Sequence, residues 1–276
     1  MKKAICILLM ISLILTSCKP ASQKISVISA IDSSSFIDDG YVNTCSEKFN
    51  YNKDGNLFEI LKTEVLLGVT LKTKTSFEYD ENGFLQKSFT YYNDEMDYWC
   101  DYKCNSEGKI IEERKYAPNS DSFTYYTKYV YNSDGTLSEA HIHDNYLALF
   151  FTIEYSYNDD GKIILEENNF YDNTYERKLY NFSYSSDSDP KLMSFSLLSS
   201  FLGQDPSNEE YVLEYDSSGK LCKSITSYSD GNFDFTYTYT YQHTVINATD
   251  KTTLFLSDGN QYYDPFLGIY EIESLI

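Results

Sequence analysis

The chain has 276 residues and a formal net charge of −20, with 42% hydrophobic and 23% charged residues. That composition fills a core and excludes a disordered chain, and the acidity excludes a phosphate backbone, so no nucleic-acid partner is expected. The 28 Tyr and 17 Phe stand against a single Trp; such residues favour pleated, half-buried surfaces, which points to an all-β fold.

In chain order, residues 1–17 read as a signal peptide: Lys2 and Lys3, then an apolar run over 4–16 that is too short for an ordinary membrane span. The stretch ends in Leu15-Thr16-Ser17-Cys18, which resembles the lipobox of bacterial lipoproteins. The resemblance implies cleavage before Cys18 and acylation of that residue. The membrane is then a partner through the lipid anchor, and the address is the bacterial cell envelope. Lys19 after the Cys, where an Asp would favour inner-membrane retention, leans towards the outer membrane. Residues 18–40 are Ser-rich and lack sustained alternation, so they read as the lipidated Cys and a tether.

Residues 41–276 form one repeat domain. The heptad "YNKDGNL" at 51 returns as "YDENGFL", "YNSDGTL", "YNDDGKI" and "YDSSGKL". Its glycines, Gly55, Gly83, Gly108, Gly135, Gly161 and Gly219, are spaced by 28, 25, 27, 26 and 58 residues, so the period is near 27 with one copy drifted at 182–192. Four residues before each Gly stands Tyr51, Tyr79, Cys104, Tyr131, Tyr157 or Tyr215, and six before it Phe49, Phe77, Tyr102, Tyr129, Tyr155 or Leu213. Two apart on a strand is one face, so these make a single stripe. Asn or Asp three before the Gly starts a type I turn, and the Gly supplies positive φ. An apolar residue two after it anchors the return strand. Each unit is a β-hairpin and the heptad is its tip. Seven to eight hairpins, about fifteen strands, give a large antiparallel meander that must curl; the eighth unit begins at "YTYTY", 237–241. Regular pairing of the apolar positions argues against a lipid-facing barrel with a polar lumen.

This pattern is similar to the YD repeat of bacterial Rhs-type proteins, whose units build a spiralling β-sheet. The likeness spans about residues 49–241, and "YYDPFLGIY" at 262–270 resembles the segment that closes Rhs shells. The period is longer than usual and no toxin domain follows, so a cocoon role is not implied.

Chemistry-bearing residues are sparse. His141 and His143 share a strand face but make only half a metal site. "NYNKDGN" at 50–56 imitates a calcium loop, yet its twelfth position is Leu61. Cys45, Cys100, Cys104 and Cys222 sit too far apart in a meander for disulfides, so all four are expected as thiols. No cofactor, metal or catalytic residue is expected, and the protein reads as a non-enzymatic binding or adhesion module. Its candidate binding aromatics lie outside the stripe: Tyr91, Tyr92, Tyr98, Trp99, Tyr125, Tyr126, Phe150 and Phe151, for a carbohydrate or protein ligand. The alternative is a structural scaffold contacting other envelope proteins through exposed edges.

Overall fold

The computed structural model describes residues 23–36, 42–159, 163–170, 177–185, 192–200, 207–217, 221–228 and 234–248. They form sixteen strands: β1 Gln23–Phe36, β2 Val42–Tyr51, β3 Leu57–Leu66, β4 Val69–Tyr79, β5 Leu85–Tyr92, β6 Glu95–Cys104, β7 Ile110–Tyr116, β8 Phe123–Tyr131, β9 Leu137–Asp144, β10 Leu149–Tyr157, β11 Ile163–Phe170, β12 Arg177–Tyr184, β13 Leu192–Ser200, β14 Ser207–Tyr215, β15 Leu221–Tyr228 and β16 Asp234–Ala248. Each pairs antiparallel with its sequence neighbours, and β1 pairs with β16, so the expected meander closes into a barrel. Closure removes the free edges that an open sheet of this width would present.

Seven units repeat one construction. Gly55, Gly83, Gly108 and Gly135 have φ between +85° and +91°, and each donates its N–H to the Asn or Asp carbonyl three residues back. The Asn52 side chain accepts from the Asp54 and Asn56 N–H groups, both at 3.0 Å; Asp80 and Asn105 repeat the pattern. The return strand then carries one extra residue, because Tyr51 faces Leu57 while Asn50 faces Glu59. The same bulge recurs in every unit, including the drifted one, where Tyr184 faces Leu192. The bulge therefore outlives the loss of the glycine. Gly161 and Gly219 lie outside the described residues.

The stripe is the buried face. Cys45, Glu47, Phe49, Ser88, Cys100 and Ala140 lie on it and are nearly inaccessible. The opposite face of the same strands carries charges such as Lys74, Lys87, Asp101, Lys103, Glu112 and Arg114, by the paired register.

Two expectations change. Residues 18–40 are not all tether, because 23–36 form β1. The bulge between Ile28 and Ala30 and the Ser33–Ser35 run hide its alternation in the sequence, although Val27, Ile31 and Ser33 are buried. The last unit, begun by β16, takes its return strand from β1 at the other end of the chain.

Candidate functional site

The barrel has two rims. One holds the motif turns. The other holds the connections β3–β4, β5–β6, β7–β8 and β9–β10. At that second rim the chain makes tight turns with positive φ at Leu67 and Gly68, at Asn93 and Asp94, and at Leu147. The 144–148 turn copies the motif turn: Asp144 accepts from the Tyr146 and Ala148 N–H groups, both at 2.9 Å, with Leu147 in the glycine's place. A leucine held in the left-handed region costs roughly 1–2 kcal/mol.

Among the described residues, six of the eleven exposed large apolar side chains lie at this second rim; Phe58, Ile164, Leu198, Val212 and Val245 lie elsewhere on the barrel. Leu67, Val69, Tyr92, Tyr125, Tyr146 and Leu147 are 43–84% exposed, and Tyr146 is the most exposed of them. They mark an arc from β3 to β10, roughly 30 Å around the rim at about 4.8 Å per strand.

Beneath the arc, on the charged face, a ladder of rings crosses five strands. Phe89 stands 6.4 Å from Trp99, which stacks on Tyr116 at 3.9 Å and 5°. Phe123, Tyr126 and His143 continue the row at 6.5, 6.4 and 5.5 Å. Lys87 lies 5.5 Å from the Trp99 ring and Arg114 5.8 Å from the Tyr126 ring. Trp99 is thus held in an internal stack and does not offer an open platform for a sugar. Tyr91 and Tyr98 are likewise covered, by Lys74 at 4.9 Å and Lys115 at 3.5 Å. Phe150 and Phe151 pack with Phe170. Of the candidate aromatics, Tyr92 and Tyr125 remain exposed. Sequence reasoning missed Tyr146 and Leu147; the readable signal was "DNYLA", a turn motif with an apolar residue where glycine is expected.

The other candidates are spread apart. His141 contacts Glu139 at 2.5 Å, whereas His143 faces the Leu147 carbonyl at 3.3 Å. Among the described residues no cluster of His, Cys, Asp or Glu is arranged to hold a metal. The side-chain oxygen of Asn52 is spent on its own turn, and Asn50 donates to Glu59. Cys45, Cys100, Cys104 and Cys222 are free thiols. Burial first, then the neighbouring Glu47, pushes the Cys45 thiol up to about 12, and burial and Glu113 do the same to Cys100. Inside the barrel Glu47 lies 3.8 Å from Lys62, which also meets Glu64 at 3.3 Å. Burial works against the Lys62 ammonium, but Glu47 and its neighbours prevail and its pKa is raised. A shallow groove of about 390 Å³ crosses the β16–β1–β2–β3 seam, lined by hydroxyls including Ser34, Thr44 and Thr238 with Asp32 beside them. Cys18 lies outside the described residues, as does the 262–270 segment.

No family model and no curated protein matches the chain. Among solved structures, a porin-like protein from Bacteroides uniformis aligns with TM-score 0.54 and 11% identity, over 78% of this chain and 98% of that one. A porin-like protein from Bacteroides vulgatus aligns at TM-score 0.36 and 9% identity, over 78% of this chain and 98% of that one. The Photorhabdus luminescens Tc holotoxin pore aligns at 0.37 and 16% identity, over 71% of this chain and 11% of that one. The described residues form a closed antiparallel β-barrel of sixteen strands, similar in fold to the porin-like protein of Bacteroides uniformis.

Proposed function

We propose that this is a non-enzymatic, lipid-anchored envelope protein whose β-barrel presents the arc from Leu67 to Leu147 as a binding surface. The observation that carries the reading is the gathering of exposed apolar side chains, with Tyr146 at 84%, on the rim away from the motif turns. A group of exposed apolar side chains along one rim is the kind of surface that takes part in interactions. The porin-like fold does not make this a membrane-spanning barrel in our reading. Charges such as Lys74, Lys87, Lys103 and Glu112 stand on the outward face of the successive strands β4 to β7, and a cation facing lipid near the bilayer midplane costs about 2–4 kcal/mol. The YD-like turns serve to pack units and carry no chemistry. Their carboxylates are occupied: Asp80 and Asp134 lie below the usual range because backbone N–H groups, of Phe84 and Thr136 respectively, hold them ionised. Elsewhere Glu112 meets Lys103 and Arg114, and Glu214 meets Lys223.

A photo-crosslinking side chain placed at position 146, and separately at position 164 near the other rim, tests the reading in intact cells. Adducts at 146 and none at 164 are expected. Adducts at 164 alone would overturn it. Adducts to proteins of the same envelope would select the scaffold form of the proposal, and adducts formed only when an external ligand is supplied would select adhesion.

A further inference from the structure

Both ends of the described barrel leave at one rim. Gln23 pairs with Ala248, and residues 23–28 of β1 pair with β16 alone, running past Ala30, the residue of β1 that faces Lys48 of β2. β2 goes on from Lys48 to Tyr51 and the motif turn. The first residue of β1 therefore stands at the motif rim, on a two-stranded extension. Cys18 is five residues before Gln23. Five residues span at most about 17 Å even when fully extended.

We propose that the motif rim is the membrane-facing surface of this protein, held against lipid headgroups by a tether of five residues, and that the arc of Leu67, Tyr92, Tyr125 and Tyr146 faces directly away. This rests on the acylation of Cys18 in the reading above. A tether of the length first read from the sequence, 18–40, would have let the body rotate freely. One of five residues, joined to a β-ribbon instead of to a floppy segment, fixes which end is down. Strands of seven to eleven residues, tilted as barrel closure requires, then lift the distal arc roughly 20–25 Å above the motif turns. The surface that binds is thereby kept clear of the membrane that anchors it.

The chain has a single Trp, so resonance energy transfer to dansyl-labelled phosphatidylethanolamine can report height. The full lipidated protein is placed in phosphatidylcholine vesicles in a Trp99→Phe background carrying either Lys53→Trp at the motif rim or Tyr146→Trp at the distal rim. Transfer from position 53 is expected to exceed transfer from position 146 at least about threefold for a height difference of roughly 20–25 Å. Inserting twenty Gly/Ser residues after Ala21 is expected to erase most of that difference. Equal transfer, or more transfer from 146, overturns the orientation. If Trp99→Phe unsettles the barrel, a maleimide donor dye on Lys53→Cys or Tyr146→Cys makes the same comparison. Mass spectrometry of the purified chain separates the two ideas. An acylated Cys18 with equal transfer sinks the orientation alone, whereas an unmodified Cys18 that does not float with vesicles sinks the anchor and the orientation together.

Discussion

Tyr79, Tyr131 and Tyr157 each reach back one unit and donate the phenol to the carbonyl of Leu57, Ile110 and Leu137, at 2.6–2.7 Å. Cys104, in the same place, points its thiol at the Leu85 carbonyl at 3.5 Å. The repeated Tyr is thus a rivet between hairpins. Tyr131→Phe is expected to cost about 1 kcal/mol, the net worth of one such bond, and Tyr92→Phe at the exposed rim almost nothing; urea midpoints for the two decide it. The turn glycines follow the same logic. A Cβ on Gly108 would come within 2.7 Å of the Phe84 ring, and Lys109 bonds the Gly135 carbonyl, so neighbouring turns touch at the glycine. Leu147 sits in the equivalent conformation with φ +63°, so Leu147→Gly is expected to raise stability by about 1 kcal/mol. An unchanged or lower midpoint would mean that Leu147 has a folded-state contact worth the strain. The turn residues and the stripe were legible because their φ and facing requirements are local. The rivet was not, because its acceptor is a backbone carbonyl twenty or more positions away, and the sequence shows only the donor.

At the scale of elements, Cys45 on β2 and Cys100 on β6 are buried thiols whose pKa rises towards about 12, and burial also raises the Tyr51, Tyr79 and Tyr131 phenols. In the unfolded chain these groups ionise first, near 8.5 for Cys and near 10 for Tyr. The unfolded state then binds fewer protons than the folded one, so stability falls as pH rises. It is fully present below about 8.5 and drains away as pH climbs from there towards the folded values. Urea midpoints should be flat from pH 7 to 8 and drop steeply above 9, with the drop softened by Cys45→Ala and Cys100→Ala. A midpoint unchanged up to pH 11 would place those thiols in contact with water. Alkylation at pH 8 should likewise spare Cys45 and Cys100 in the folded protein. Which strands exist was legible from period and turn chemistry. β1 was not, because a bulge and three serines interrupt its alternation and one of its two partners, β16, lies two hundred or more residues away.

At the scale of the molecule, the sixteen described strands close because β1 pairs with β16. The number of hairpins was readable from the period, whereas closure depends on curvature summed over every bulge and on a pairing between chain ends. The binding surface was readable only in part. Tyr92 and Tyr125 stand at the exposed rim, but Trp99 and Tyr126, which look alike in sequence, are committed to the ring ladder. The aromatic count alone does not separate the two uses. If the arc binds as proposed, replacing Tyr92, Tyr125 and Tyr146 by Ser should abolish crosslinking from position 147 while the urea midpoint shifts by less than about 1 kcal/mol, as expected at exposed sites.

Closure of the barrel is the claim on which the rim assignment and the anchor geometry both depend. Ser34 and Thr238 face each other across the β1–β16 ladder with their hydroxyls 2.9 Å apart. The decisive measurement is peptide mapping without reductant of the Ser34→Cys, Thr238→Cys protein after mild oxidation. A disulfide linking positions 34 and 238 within one chain is expected, with stability raised by up to about 5 kcal/mol for so long a loop. Thiols that stay free, or link only between two chains, would contradict the closed barrel.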